Sequence, residues 1–276
     1  MKRFICGLTL VGAVFAAMVG CGKREAGDEL QRIGENRHLY VAVQPVNVPF
    51  GFSSGTKVIG FDADLAEAIA GKLNVPVRWV KKTFEELFDT LAEKKADIIV
   101  SAITITDQRK QRFAFSDPYF QSGQILAVRK DNQKEVRSLN DLKGKKVGVS
   151  NETTGHMFAQ SEPRLRDAEI VTAPSIDSAL LRLNNRVVDA VIGDFPIVVH
   201  SVEESFPTLS IEGRPLTNEQ YGVVLRKGED QLLKIVNEIV EQLKSQGKLE
   251  EMGKKWFKNW DKIKKLQKEV PGKPLG

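Results

Sequence analysis

The stretch SAITITDQR, residues 101–109, places a row of small and hydroxylated residues before an arginine. Its isoleucines alternate with smaller residues, and this period of two is typical of a strand or extended segment with one apolar face. The planar guanidinium of Arg109 suits a carboxylate, because it can donate two parallel hydrogen bonds to it. Hydroxyl groups, backbone N–H groups and a guanidinium together are donors that a carboxylate ligand needs. The alternative is a surface ion pair between Arg109 and Asp107 or Asp117.

Alternating strands and helices must position this stretch. Apolar patterns typical of buried strands occur at residues 38–43, 75–80 and 96–100. Helical patterns separate them at residues 63–74 and 84–95. The first helix follows an aspartate that we expect to be its N-cap, and the second begins with the Thr-x-x-Glu pattern of a capping box. Strands that alternate with helices at this spacing predict a parallel α/β sheet.

The pattern occurs again in the second half of the chain. Aligning LFDTLAEKKADIIVSA with ALLRLNNRVVDAVIGD places Ala102 over Asp194, and the periods of the two halves agree although few residues are identical. A repeat of this kind predicts two similar α/β lobes. We expect the chain to leave lobe one near residues 128–130 and to return near residues 218–221. Two crossings would form a hinge beside an interlobe cleft.

The predicted cleft brings together groups of opposite charge. Open α/β sheets bind ligands beyond the carboxyl ends of their strands, where helix N-termini expose N–H groups. Ser101 and Thr104 follow such a strand in the first half, and Asp194 ends one in the second half. Asp194 could bind an ammonium group across the cleft from Arg109. The alternative is that Asp194 only caps a helix before Pro196.

The N-terminal segment predicts export and a membrane anchor. Residues 1–20 combine a basic start with an apolar run that is too short for a comfortable membrane span, as in an export signal. The following MVGC resembles a bacterial lipobox, in which cleavage leaves Cys21 lipid-modified, for example with palmitate. Plain secretion, with Cys21 an incidental thiol, is the alternative. Residues 21–37 carry mixed charge with few apolar residues and predict a tether.

Composition and charge exclude several classes of protein. The chain is 41% hydrophobic and 28% charged, which is typical of a globular protein. Its net charge is +5, or +3 without Lys2 and Arg3, and this excess lies mostly in residues 261–276, which we interpret as a solvated basic tail because no base-stacking aromatics interleave with the lysines. The histidines lack the spacing of a metal site, and no phosphate loop or Gly-x-Ser-x-Gly elbow occurs. We therefore expect no metal, cofactor, nucleic acid or catalytic residue.

A resemblance to a known family extends over residues 38–257. ADIIVSAITITDQRKQRFAFSDPYF (residues 96–120) resembles the strand, hydroxyl turn, arginine and Phe-Ser-x-Pro-Tyr sequence of the extracytoplasmic solute-binding proteins, family 3, of polar amino-acid ABC transporters. Further matches in the same order are GFD (60–62), LKGKKVGV (142–149), VDAV (188–191) and the closing Trp256-Phe257. The resemblance implies a two-lobe type II periplasmic-binding-protein fold. Lobe one would comprise residues 38–128 and 220–260, and lobe two residues 129–219.

The resemblance also implies roles for individual residues. Arg109 would bind the α-carboxylate of an amino acid, with Thr104 and the backbone around Ser101 and Ala102, and Asp194 would bind its α-ammonium. Contacts from lobe two and with the ligand side chain would come from Thr153, Thr154, Phe84 and Phe50.

Four positions differ from the usual family pattern. Gln44 and Asn47 stand where the family usually has an aspartate and an aromatic residue, so a stacking lid is missing. Ala102 replaces a glycine or serine and keeps only the backbone donor. Glu152 replaces a glycine, and its side chain could face a cationic or amide group of the ligand or point to water.

We expect this protein to bind a free amino acid, polar or basic, and to deliver it to an ABC transporter permease. We also expect it to be extracytoplasmic, anchored to the membrane through Cys21, monomeric and not an enzyme. The alternative is a cleft enzyme of the cyclohexadienyl dehydratase type on the same fold, for which Glu152, if desolvated, is the candidate acid.

Overall fold

The computed structural model describes residues 28–272. The predicted export signal, the predicted lipidation site Cys21 and the start of the predicted tether lie outside the described residues. The helices in this range are α1 (Asp28–Asn36), α2 (Phe61–Lys72), α3 (Phe84–Ala92), α4 (Asp107–Lys110), α5 (Thr154–Ser161), α6 (Ile176–Asn184), α7 (Phe195–Glu204), α8 (Asp230–Ser245), α9 (Lys248–Trp256) and α10 (Trp260–Lys268). Within the same range, no helix combines the length and apolar composition needed to cross a membrane.

The strands form two five-stranded sheets and two small ones. In chain order they are β1 (Leu39–Val43), β2 (Val46–Asn47), β3 (Gly51–Ser54), β4 (Lys57–Ile59), β5 (Val77–Lys81), β6 (Ile98–Ile99), β7 (Phe113–Phe115), β8 (Phe120–Ser122), β9 (Gln124–Arg129), β10 (Lys146–Ser150), β11 (Glu169–Ala173), β12 (Ala190–Asp194), β13 (Leu209–Glu212), β14 (Glu219–Tyr221) and β15 (Val224–Arg226).

Lobe one is built on the sheet with the order β5-β1-β6-β15-β7. β1 pairs in parallel with β5 and β6, as the alternating pattern predicted. Successive residues of β1 face opposite sides, so Val41 packs against α2 and Ala42 against α3. The predicted capping box at the start of α3 is present, and the Thr83 N–H donates to Glu86 Oε2 over 3.0 Å.

Lobe two repeats this arrangement on the sheet β11-β10-β12-β9-β13. β10 pairs in parallel with β11 and β12, while β9 and β13 pair antiparallel at the other edge. Val147, Val149, Ala190 and Ile192 are fully buried in the core of this lobe. The two similar α/β lobes predicted from the internal repeat are confirmed.

The hinge contains a two-stranded antiparallel sheet of β8 and β14, in which Tyr221 lies opposite Phe120 and Glu219 opposite Ser122. The predicted crossing near residues 128–130 is wrong, because β9 already belongs to the lobe-two sheet through its pairing with β12. The chain therefore crosses between the lobes at β8, several residues before the predicted position, and returns at β14.

Both ends of the described chain are more ordered than the sequence predicts. The tether predicted through residue 37 is wrong for residues 28–36, which form α1 with Ile33 buried and Arg32 within 2.5 Å of Asp97. The basic tail is also not simply solvated. It begins with α10, whose Ile263 and Leu266 are buried while its lysines lie outward. In both segments a few apolar residues at helical spacing suffice for packing.

Candidate functional site

The predicted ligand groups of the two lobes meet at the carboxyl ends of β6 and β12. Thr104 follows β6 and forms an isolated antiparallel bridge with Tyr221 of the hinge. Thr154 begins α5 in lobe two, and its Oγ1 lies 3.4 Å from Thr104 Oγ1. Asp194 ends β12. The structure thus brings both hydroxyl groups and the carboxylate to the interface between the lobes.

Arg109 lies in the short helix α4, which begins after Thr106; the Thr106 hydroxyl accepts a hydrogen bond from the Arg109 N–H over 3.2 Å. Only 8% of Arg109 is exposed. Its Nη1 donates to the Thr104 carbonyl over 2.8 Å, and its guanidinium carbon lies 5.6 and 5.3 Å from the ring centres of Phe84 and Phe88. Such contacts hold the side chain in one orientation.

A surface ion pair does not explain Arg109. In residues 28–272 it forms no ion pair, and Asp107 instead lies 3.7 Å from Lys110. Burial lowers the pKa of Arg109 to about 10, although the negative charges of Glu219 and Asp194 act to raise it. The side chain therefore stays cationic at neutral pH although it is desolvated. A buried cation of this kind, without a paired carboxylate, is suited to an anionic ligand group.

Arg109 also lines a cavity of about 450 Å³. Lobe one supplies an aromatic wall to this cavity, and lobe two supplies α5 and the turn before it. The lining residues include Phe84, Phe88, Phe113, Glu85, Glu152, His156 and Met157. Phe84, expected to pack on a ligand side chain, is therefore at this cavity.

Asp194 occupies the N-cap position of α7, but its side chain makes no capping hydrogen bond. Instead, Gln124 Nε2 donates to Asp194 Oδ1 over 2.7 Å, and the Tyr221 hydroxyl donates to Oδ2. The capping alternative for this side chain is therefore wrong. Desolvation, followed by the nearby charge of Glu219, raises the pKa of Asp194 to about 7. A cationic ligand group would favour its ionised form.

Glu219 is a second carboxylate between the lobes, on hinge strand β14, and it is fully buried. Its Oε2 accepts from Thr104 over 2.9 Å and from Thr154 over 2.7 Å. Its Oε1 accepts from Thr217 over 2.7 Å and from Gln124 over 3.0 Å. The sequence patterns do not single out Glu219 or Gln124. The one available signal is an acidic residue beside the predicted return crossing.

The Ala102 N–H is already bonded within lobe one. It donates to Asp62 Oδ2 over 2.7 Å, and the Tyr119 hydroxyl donates to Asp62 Oδ1 over 2.8 Å. In this conformation the N–H expected to bind the ligand carboxylate is not free. The predicted N-cap role of Asp62 is wrong as well, because Gly60 is the N-cap of α2. Ala102 has a φ of 51°, which explains why a glycine is favoured here.

The first loop uses its polar residues to join elements of the protein. The Gln44 N–H donates to Ser101 Oγ over 3.0 Å, and Gln44 Nε2 reaches the Pro174 carbonyl of lobe two over 3.3 Å. Asn47 donates to Gln44 Oε1 over 3.1 Å. Gln44 and Asn47 thus form a polar link at the edge of the cleft. Contact of Ser101 or Asn47 with a ligand stays a prediction.

Phe50 lies inside lobe one. It is fully buried, and its ring centre lies 4.9 Å from that of Phe120 and 5.3 Å from those of Tyr221 and Phe257. The expected packing of Phe50 on a ligand is therefore not seen in this conformation, because protein rings surround it. Phe50 instead packs edge-on against the ring of the hinge residue Tyr221.

In the turn before α5, the side chain of Thr153 is bonded within the protein, whereas the side chain of Glu152 is exposed. Thr153 is the N-cap of α5; its Oγ1 donates to the Ser150 carbonyl over 2.8 Å and accepts from the His156 N–H. Glu152 has a φ of 56°, a conformation that favours the glycine usual at this position. Its side chain is exposed at the cavity rim. The desolvation that an enzymatic role for Glu152 requires is absent.

Two desolvated aspartates, the fully buried Asp62 and the partly buried Asp194, predict the pH dependence of stability. Desolvation raises the pKa of Asp62 to about 7, as it does for Asp194. Because both carboxyl groups hold a proton more tightly in the folded chain, the free energy of unfolding should fall as pH rises from about 4 to 7. The slope should reach at most about 1.4 kcal/mol per pH unit for each group.

Urea unfolding of the ligand-free protein between pH 4.5 and 8 measures this slope, and Asp62→Asn should make it shallower. A free energy of unfolding that rises across this range would contradict the expectation.

Comparison with known proteins supports the two-lobe assignment. The chain is 29% identical over 252 residues to the L-cystine-binding protein TcyJ of Escherichia coli strain K12, covering 90% of this chain and 94% of that one. The structure is similar to the amino acid ABC transporter substrate-binding protein AbpA from Streptococcus pneumoniae bound to L-arginine, with a TM-score of 0.76, 28% identity and coverage of 88% and 100%. It is also similar to the ancestral amino acid-binding protein AncCDT-1, a precursor of cyclohexadienyl dehydratase, with a TM-score of 0.77, 32% identity and coverage of 83% and 99%.

The profile of the bacterial extracellular solute-binding proteins, family 3, matches residues 39–259, which span both lobes, the hinge and the cleft residues described above. Together with the observed fold, this match shows that the chain belongs to the family 3 bacterial extracellular solute-binding proteins.

Proposed function

We propose that this protein binds a free amino acid in the interlobe cleft and delivers it to the permease of an ABC transporter. The observation that carries the proposal is the buried guanidinium of Arg109, which forms no ion pair within residues 28–272 and lies near enough to the Asp194 carboxylate for each charge to influence the pKa of the other. An amino acid carries a carboxylate and an ammonium on one carbon, so it can bind both groups at once. The names of the relatives, which bind cystine or arginine, support the same class of ligand.

The two groups belong to different lobes, and this supports a closing mechanism. Arg109 follows lobe-one strand β6, and Asp194 ends lobe-two strand β12. A ligand that contacts both groups does so only when the lobes are closed, and it therefore shifts the population towards the closed form. The closed form would be the one that the permease recognises.

The cleft favours a polar or basic amino acid. Glu85 and Glu152 lie at the cavity that Arg109 lines, and Gln44 and Asn47 form a polar link to the Pro174 carbonyl of lobe two. The two carboxylates can bind amide or cationic side chains, which an aliphatic side chain cannot match. We further propose that the protein acts as an extracytoplasmic monomer anchored through Cys21.

A cleft enzyme of the dehydratase type is the second candidate. It is supported by the likeness to a precursor of cyclohexadienyl dehydratase. The exposure of Glu152 argues against it, because a carboxyl group that acts on a bound substrate must lie inside the cleft and be shielded from water.

A thermal-shift screen tests the proposed function. The purified protein is unfolded and refolded to remove carried-over ligand, and is then mixed with each of the twenty amino acids and with cystine. A ligand at 100 times its Kd adds about 2.7 kcal/mol to stability by mass action, so one or a few amino acids should raise the midpoint by several degrees. If none does, the proposal is wrong, and cyclic carboxylic acids become the substrates to assay.

A further inference from the structure

Glu219 is a buried carboxylate that a ligand with one ammonium and one carboxylate does not need. Arg109 and Asp194 already offer one charge to each end of an amino acid. Glu219 is fully buried and accepts four hydrogen bonds of 2.7 to 3.0 Å, two on each oxygen. Two of the donors, Thr104 and Thr154, are hydroxyl groups from opposite lobes that were expected to contact the ligand.

The direction of these hydrogen bonds decides what the hydroxyl groups can offer. A threonine hydroxyl has one proton and two lone pairs. Since Thr104 and Thr154 both donate their proton to Glu219 Oε2, each oxygen can only accept from a further partner, as Thr154 Oγ1 already does from Gln124 Nε2 over 3.2 Å. Neither hydroxyl is then free to donate to a ligand carboxylate, the role that the sequence predicted for Thr104.

Gln124 donates hydrogen bonds to the same group of acceptors between the lobes. Its Nε2 donates to Asp194 Oδ1 over 2.7 Å and to Glu219 Oε1 over 3.0 Å and lies 3.2 Å from Thr154 Oγ1, and its Oε1 is buried without a hydrogen-bond partner in residues 28–272. The opposite orientation of this amide would place its oxygen against two carboxylates, so the observed orientation is favoured. Gln124 is therefore a further donor to the acceptors between the lobes, and its Oε1 faces Gly155 at the start of α5.

We propose that Glu219 is a positioning residue: it orients the hydroxyl groups of Thr104 and Thr154 so that they accept hydrogen bonds, and thereby makes this side of the cleft selective for the ammonium group of the ligand. The proposal rests on the amino-acid binding proposed above. It assigns the carboxylate end to Arg109 and the ammonium end to a set of acceptors that Glu219 organises.

The position of Glu219 on the hinge suits this role. β14 pairs with β8 opposite Ser122, so the Glu219 backbone is held where the lobes join. From there its carboxylate reaches Thr104 of lobe one and Thr154 of lobe two together. Glu219 can orient both hydroxyl groups only when the lobes are closed, which is the form that holds the ligand.

Glu219→Gln tests the proposal at nearly constant volume. An amide has one acceptor oxygen and one donor nitrogen, so it cannot receive all four hydrogen bonds, and the threonine protons are no longer held by a charge. The readout is a ratio of Kd values at pH 8, measured by calorimetry. One probe is the amino acid with the largest shift in the screen, and the other is the α-hydroxy acid with the same side chain, such as the 2-hydroxy counterpart of L-arginine.

The wild-type protein should prefer the amino acid over its α-hydroxy acid, and Glu219→Gln should reduce this preference about tenfold or more, the scale of a hydrogen bond to a charged group. Glu229→Gln is the matched control, because Glu229 is a largely buried acid paired with Arg226 outside the cleft. It should leave the preference unchanged. If Glu219→Gln does not fold, Thr154→Val decides, since it removes one acceptor and should reduce the same preference.

Equal losses of affinity for both probes would overturn the proposal, because Glu219 would then only stabilise the closed fold. A wild-type protein that binds both probes equally would also overturn it while leaving amino-acid binding intact. Binding of no amino acid by the wild type would instead contradict the proposed function itself.

Discussion

Replacing Arg109 with alanine should abolish amino-acid binding, with a loss of affinity of more than about 100-fold, the scale for truncating one member of a buried, hydrogen-bonded charge pair. The physical reason is the burial of this side chain, which is 8% exposed and held by the Thr104 carbonyl and two phenylalanine rings. A ligand carboxylate that enters the cleft loses its water, and without Arg109 no other described cation lies beside the cavity except the outer Arg112.

Arg112→Ala is the matched control for this prediction. Arg112 lines the same cavity, but 67% of its side chain is exposed and its distance to Asp89 is 3.8 Å. Exposed pairs contribute at most about 1 kcal/mol, so this variant should bind nearly as well as the wild type. Calorimetry measures both variants, and circular dichroism checks that they fold. If Arg109→Ala binds within a few fold of the wild type, Arg109 does not bind the carboxylate.

Asp194→Asn should have opposite effects on binding and on stability. Affinity should fall by more than about 30-fold, because a neutral amide cannot compensate the ligand ammonium in a desolvated site. The ligand-free protein at pH 8 should be as stable as the wild type or more stable. Burial and the charge of Glu219 raise the pKa of Asp194 to about 7, so its ionised form opposes folding at that pH.

Asp189→Asn is the control for Asp194→Asn, because Asp189 precedes the opposite end of β12. The Asp189 carboxylate accepts from the Lys146 N–H over 2.9 Å, away from the cleft. Its loss should lower the unfolding midpoint with little change in affinity. If Asp194→Asn behaves in this way instead, with lower stability and unchanged affinity, then Asp194 serves the fold and does not bind the ligand.

The sequence by itself determined the two lobes and placed the candidate site residues after the ends of their strands. The apolar periods of strands and helices are set by residues close together in sequence, so the order of these elements could be predicted. Ligands of open α/β sheets bind beyond the carboxyl ends of the strands, so the candidate site residues could be sought there. This reasoning places Arg109 in lobe one and Asp194 at the end of a lobe-two strand, as observed. It failed for α1 and α10 because a few apolar residues were enough to pack each helix on the protein. It failed for the first crossing because the pairing of β9 with β12 decides to which lobe β9 belongs.

Only the tertiary structure decided which way the hydrogen bonds of the cleft run. Thr104 and Glu219 are separated by 115 residues, and Thr154 and Glu219 by 65. A hydroxyl group can donate or accept, and its local sequence is the same in both cases. The choice is made when the hinge strand brings a buried carboxylate within 3 Å of both hydroxyl groups, since a buried anion must be bonded by the donors around it.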